Sequence, residues 1–257
     1  MDDLETVLIE FDETSGVGTI ALNRPESLNA LNDQLSQDVV TGLQRLEEEE
    51  LRVAVIEGVG DKAFCAGADI GGFSSESSVE RSERPVHTFV SEFPVPVVAK
   101  IDGYCLGGGF ELALACDLRL ASADSEFGFP EVNLGLLPGA GGVQFVTKLC
   151  GPATAMELAM RGEHVSAEWA AEEGLVNHVY STDQFESEVE SFVTQLAGQA
   201  PLAIRAIKKS ARMAVDAGRS EGRQYDRRLF NELLTTDDFA EGAAAFSEDR
   251  EPEFEGR

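Results

Sequence analysis

A chain of 257 residues, 43% of them hydrophobic, can bury a sizeable core as one large domain or as one domain with an appendage. Its 47 acidic residues outnumber 20 lysines and arginines, and the net charge of −27 repels phosphate backbones and anionic membranes, which disfavours nucleic-acid and membrane-surface functions. No run reaches the ~18 apolar residues of a membrane span, and the acidic start MDDLETVLIEF lacks an export-signal pattern, so a cytoplasmic protein is expected.

Taken in chain order, Thr6–Phe11 and Val17–Leu22 are β-branched and apolar around the turn sequence DETSG, which predicts a hairpin. Between Asn32 and Glu50, Leu35, Val39, Leu43 and Leu46 form one helical stripe opposite acidic residues. Arg52–Gly58, Pro96–Gly103 and Leu118–Ser122 read as buried strands. Helical or glycine-rich stretches separate them, which argues for parallel β-structure with helical crossovers. The Ser- and Glu-rich stretch after Gly71 reads as a loop leading to a helix around Val79–Glu92. From Gly151 onward helices dominate: Ala153–Met160, Ala167–Glu173, Asp183–Ala197, Pro201–Ala217, Ser220–Leu234 and Asp237–Phe246. Leu175–Tyr180 is the one strand expected there. The sequence shows no internal repeat. The division expected is an α/β core over 1–198 and a helical region over 199–257.

Only five residues are lysine: Lys62, Lys100, Lys148, Lys208 and Lys209. High acidity with scarce lysine around a normal core suits a protein working in concentrated salt, where screening shrinks self-repulsion. Cys65, Cys105, Cys116 and Cys150 form no C-x-x-C pair and read as free thiols; with His87, His164 and His178 not spaced as ligands, no metal site is expected.

Three glycine-rich turns carry the chemistry: FCAGADI (Phe64–Ile70), CLGGGFE (Cys105–Glu111) and LLPGAGG (Leu136–Gly142). None has the Lys-Ser/Thr of a P-loop, and no G-x-S-x-G elbow is present. Two strand-to-helix turns can instead each offer one backbone N–H to a single oxygen, as an oxyanion hole. Glu111 follows the second turn inside an otherwise apolar segment. By position alone it reads equally well as a carboxylate stabilising a first helical turn. A second acid, Glu131, in FGFPEVNLGLLPG, sits among apolar residues and glycines too. Two acids so placed match a general acid/base pair better than two surface charges.

With these segments assembled, the chain resembles the enoyl-CoA hydratase/isomerase (crotonase) family. The resemblance is carried by PVVAKIDGYCLGGGFELALACDLRLAS and EFGFPEVNLGLLPGAGG. LNRPESLNAL, KAFCAGADI, AAEEGLVNHV and the tail EGAAAFSEDREPEFEGR support it, all in the family's order over nearly the whole chain. It implies an α/β fold, a crotonase-like spiral of β-β-α units, with a helical C-terminal region that builds homotrimers or dimers of trimers. It implies an acyl-CoA thioester substrate held by an oxyanion hole at Ala68 and Gly108, and no cofactor, since CoA is part of the substrate. Glu111 and Glu131 fill the two acid positions of the hydratases. Hydration of a trans-2-enoyl-CoA to a 3-hydroxyacyl-CoA is therefore implied, with Glu111 activating the water and Glu131 handling the proton for Cα. Ala66, Asp69 and Ile70 match the segment contacting the adenine and pantetheine, and Phe246 is placed to reach a neighbouring subunit's substrate.

The chain also departs from the family's pattern. Phe129 precedes Pro130-Glu131 where hydratases often carry a polar residue. Glu26 and Asp249 stand where lysines near the CoA phosphates are common, which leaves Arg24, Lys208, Lys209 or salt cations for that task. Isomerisation, hydrolysis or decarboxylation of an acyl-CoA, or a non-catalytic role, are the competing functions. Retention of both acids favours hydration.

Overall fold

A computed structural model describes residues 4–72 and 85–257. The chain opens with the expected hairpin, β1 (Val7–Asp12) antiparallel to β2 (Val17–Leu22). Helix α1 (Asp33–Glu47) follows, its first turn capped by the Asn32 side chain, which accepts from the Leu35 N–H at 2.8 Å. Leu35, Val39, Leu43 and Leu46, the predicted stripe, are buried against the sheet.

Strands then alternate between two sheets. The six-stranded sheet has the order β1-β2-β3-β5-β7-β10, with β3 (Val53–Gly58), β5 (Val97–Ile101), β7 (Leu118–Ser122) and β10 (His178–Tyr180) parallel from β2 onward. The four-stranded sheet has the order β4-β6-β8-β9, formed by β4 (Ala63–Cys65), β6 (Tyr104–Leu106), β8 (Glu126–Gly128) and β9 (Val165–Ser166). Each coil of the chain thus lays one strand in the large sheet, one in the small sheet, and then a helix. The helices are α2 (Val86–Glu92) after β4, α3 (Gly108–Ala115) after β6, and α4 (Gly142–Cys150) with α5 (Pro152–Arg161) after β8. The repetition lies in the backbone path. Each coil fills a different part of the core with different side chains, so no sequence repeat accompanies it.

The small sheet is where the sequence reading falls short. Strands of two or three residues are too short to show a period-two pattern. The expected strand Pro96–Gly103 ends at Ile101, and the chain turns into β6. Leu175 and Val176 are buried but precede β10. The helix expected around Val79–Glu92 is observed over Val86–Glu92, with Pro85 before its first turn; 79–84 lie outside the described residues.

Helices α6 (Ala167–Glu172) and α7 (Phe185–Ala197) complete this part. α7 packs Phe185, Val189 and Val193 on the outer face of the large sheet, against Val53, Val55, Val98 and Leu120. Helices α8 (Pro201–Asp216), α9 (Arg219–Leu233) and α10 (Asp237–Glu248) follow. α8 has no fully buried residue and is pinned electrostatically. Asp117, at the end of α3, accepts from Lys208 at 2.5 Å, Arg212 at 2.8 Å and the Val97 N–H at 2.8 Å. Lys208 also donates to the Val95 carbonyl at 2.8 Å, and its side chain is only 8% exposed. Lys208, expected among the candidates for CoA phosphates, is instead an internal tie between α8 and the core. A buried ammonium needs this pairing, because desolvation penalises its charged form.

Candidate active site

All eight residues of α3 are buried, Glu111 among them at 3% exposure. A carboxylate there requires donors, and the chain supplies them from the third glycine turn. Glu111 Oε1 accepts from the Ala140 N–H at 2.7 Å and the Gly142 N–H at 2.8 Å. Gly142 is the first residue of α4, so the carboxylate lies at a helix N-terminus, where unpaired N–H groups and the dipole favour negative charge. Burial still pushes the Glu111 carboxyl above its usual range, and these backbone donors oppose the rise.

Glu131 lies in the 3-10 turn Pro130–Leu134, after β8. Its Oε2 is buried with no hydrogen-bond partner among the described residues. Burial pushes its carboxyl up to about 6, and the charge of Glu111 adds to the rise. Its Oε1 lies against Gly107: a side-chain carbon added there would stand 2.9 Å from that oxygen. Gly107 has φ +50°, so the turn needs glycine on both counts. The two acids therefore flank one short turn. Glu131 covers it, and Glu111 hangs one helical turn below, with its N–H bonded to the Gly107 carbonyl at 2.9 Å.

The same turn presents the Gly108 N–H, the first of α3, with no intrahelical partner. Ala68 faces it. A parallel bridge joins Ala68 to Leu31: Gly67 accepts from the Leu31 N–H, and the Asp69 N–H donates to Leu31, both at 2.8 Å. This pairing engages the groups on either side of Ala68 and turns Ala68's own N–H the opposite way. A side-chain carbon on Gly108 would lie 3.5 Å from the Ala68 nitrogen, so the two amides stand side by side. His87, on α2, bonds the Gly108 carbonyl through Nε2 at 3.1 Å, and burial holds this imidazole below its ordinary pKa. The sequence reading missed this contact and the amide clamp on Glu111. A glycine turn entering a helix about 30 residues after a buried acid was the available sign of the clamp.

The remaining expected residues divide. Ala66 is half-buried and donates its N–H to the Leu28 carbonyl, and Ile70 is 58% exposed beside the amide pair. Asp69 and Arg24 bind each other at 2.9 Å, and Arg24 also donates to the Ala30 carbonyl. The guanidinium expected to meet CoA phosphate is thus partly committed within the chain. Phe246, on α10, is 89% exposed. The Ser- and Glu-rich stretch after Gly71, read as a loop, lies outside the described residues from 73 to 84. All four cysteines are free, three of them buried. No helix among the described residues is long and apolar enough to cross a membrane.

A side-by-side amide pair next to two desolvated carboxylates is the equipment of an acid–base enzyme acting on a carbonyl compound. The chain belongs to the enoyl-CoA hydratase/isomerase family, whose sequence model matches residues 12–257. It is 37% identical to a probable enoyl-CoA hydratase of Mycobacterium tuberculosis, over 98% of this chain and 99% of that one. It is 34% identical to the (E)-benzylidenesuccinyl-CoA hydratase of Thauera aromatica, over 96% and 99%. Among solved structures, an enoyl-CoA hydratase subunit of Geobacillus kaustophilus superposes with a TM-score of 0.93 at 40% identity, covering all of both chains.

Proposed function

We propose that this protein adds water across the double bond of a trans-2-enoyl-CoA to give a 3-hydroxyacyl-CoA, and reverses the reaction. The observation that carries the reading is the unpartnered, buried Oε2 of Glu131, whose other oxygen lies against Gly107, the residue before the Gly108 amide. Attack at Cβ drives charge onto the thioester oxygen. Two fixed N–H donors stabilise that enolate more than the ground-state carbonyl, which is what accelerates the step. Glu111, whose two N–H donors favour its ionised form against the opposing effect of burial, accepts one hydrogen of the water and orients it. Glu131 accepts the other, takes up that proton as oxygen bonds to Cβ, and delivers it to Cα. Glu131 thus keeps the delivery to Cα expected of it and also takes the water's proton, a step expected of Glu111, because it is the less encumbered acid. No proton is left over, and the water supplies both added groups.

Mixing the protein with crotonyl-CoA should abolish the absorbance of the conjugated enoyl thioester and form 3-hydroxybutyryl-CoA. Persistence of that absorbance across C4 to C16 enoyl-CoAs would overturn the reading. The Thauera relative's named substrate carries an aromatic acyl group, so family membership alone leaves the acyl chain open.

Assembly follows from the tail. Ile207, Phe230, Leu234, Phe239 and Phe246 are exposed on α8, α9, the turn after it and α10. Burial against further copies, as a trimer or stacked pair of trimers, removes that surface from water. Phe246 would then stand at a neighbour's substrate. Light scattering of active enzyme should give a multiple of the 27.6 kDa monomer, and an active monomer would refute the assembly.

Charge adds a separate expectation. A chain of net charge −27 must admit an anionic CoA ester. Raising KCl from ~0.1 M to ~1 M shortens the screening length from about 10 Å to about 3 Å, so kcat/KM should climb several-fold. The melting temperature should rise by several degrees, through relief of self-repulsion. A fall in kcat/KM together with an unchanged melting temperature would count against adaptation to salt.

A further inference from the structure

Phe129 adjoins both acids in the chain's packing: it precedes the turn that bears Glu131, and its ring lies against the elements that bear and clamp Glu111. It is fully buried, immediately before Pro130-Glu131. Its ring stacks on Phe110, the residue preceding Glu111, with centroids 5.0 Å apart at 29°. Phe110 in turn meets Phe127 of β8 at 5.3 Å. The Phe129 ring also fills the space beneath Gly142: a side-chain carbon there would lie 2.6 Å from Phe129 Cζ and 3.0 Å from Glu111 Cγ. One ring therefore abuts α3, which bears Glu111, and the first residue of α4, which clamps Glu111. Its own backbone opens the turn that bears Glu131.

We propose that Phe129 is a positioning residue. Its ring sets the separation of the two carboxylates, holds the Gly142 N–H on Glu111, and keeps water out of the space behind the pair. The claim that this positioning serves hydration rests on the reading above; the geometric claim does not.

An apolar ring in this place explains why desolvation is the leading cause of the upward shift at both acids. The other titratable groups on the packed elements, among the described residues, do not compete for that role. Cys65 of β4 and Cys105 of β6 are buried thiols raised by burial. His87 of α2 is bonded to the Gly108 carbonyl. Glu126 of β8 is turned outward onto His164 at 2.8 Å, and Lys148 of α4 onto Asp216 at 2.6 Å. A polar side chain at position 129 would bring its own hydrogen-bonding groups, or water, to the back of both acids.

The test compares Phe129→Gln with Phe129→Leu in the full-length protein, using crotonyl-CoA hydration from pH 5 to 9 and NMR titration of carboxyl-labelled glutamates. Phe129→Gln should lower kcat by about tenfold or more with KM within about threefold. Its acid limb should move down by about half a pH unit or more, as desolvation is relieved. Phe129→Leu, still apolar but smaller, should lose several-fold in kcat and keep the wild-type limb. If Phe129→Gln does not fold, an unchanged kcat in Phe129→Leu alone overturns the proposal. It is equally overturned if both variants lose only thermal stability while activity per folded protein and the limb stay put. If the wild type does not hydrate any enoyl-CoA, the hydratase reading fails by itself. The NMR titration still decides the geometric claim: a high-pKa glutamate signal that moves to lower pH in Phe129→Gln supports it, and one that stays put overturns it.

Discussion

Replacing Glu131 with glutamine is expected to lower kcat by about 10³-fold, and the same change at Glu111 by about 10²-fold, within the usual range of general acid–base contributions. The order follows from what each carboxylate already holds. Glu111 Oε1 is occupied by the Ala140 and Gly142 amides, so in the proposed mechanism it orients the water and leaves the proton to Glu131. Glu131 has a free buried oxygen and a carboxyl raised to about 6. In the proposed mechanism both acids are ionised when they receive the water's hydrogens. Wild-type kcat/KM should therefore fall as pH drops through about 6 and stay level above it. In Glu131→Gln the residual rate should lose that limb. Affinity for a saturated acyl-CoA should survive in both variants, since the proposed holders of the thioester oxygen are the Ala68 and Gly108 amides. Near wild-type hydration by either variant would refute the two-carboxylate assignment. A larger loss at Glu111 than at Glu131 would assign the water's deprotonation to Glu111, as the sequence reading expects.

These assignments could be approached from the sequence because the relevant signals are local. A carboxylate inside an eight-residue apolar helix is anomalous by itself, and so is Glu131 between apolar residues and glycines. The long stripe of α1 and the β-branched runs of β2, β3 and β5 have enough residues to display their period. What stayed hidden depends on groups distant in the chain. The clamp on Glu111 comes from 29 and 31 residues away and consists of backbone amides, which carry no residue type. The Arg24–Asp69 pair spans 45 residues and Lys208–Asp117 spans 91; each partner alone reads as a free charge. The short strands of the small sheet are defined by their neighbours rather than by their own composition. Phe129 was visible as a departure from the family's pattern. Its consequence emerges only where its ring meets Phe110 and Gly142.

Two adjacent glycines should fail in different ways, and the contrast tests the amide pair. Gly108→Ala meets no close contact: its methyl would find Ala68 N at 3.5 Å and Leu31 Cδ1 at 3.6 Å, both ordinary distances, and no positive φ is involved. The variant should fold with a melting temperature within a few degrees of wild type. Its methyl, however, would stand beside the Ala68 amide, where the proposed mechanism puts the thioester oxygen. The expected loss in kcat is therefore about 10²- to 10³-fold, the scale of an oxyanion-hole defect. Gly107→Ala combines φ +50° with a carbon 2.9 Å from Glu131 Oε1. An L side chain tolerates that backbone only with strain, and Glu131 must be pushed aside. This variant should lose activity and also melt at a clearly lower temperature. Thermal melts alongside hydration rates separate the cases. A fully active Gly108→Ala enzyme would show that the Ala68–Gly108 pair does not hold the reacting oxygen. A Gly107→Ala enzyme as stable and active as wild type would show that Glu131 does not lie over that turn.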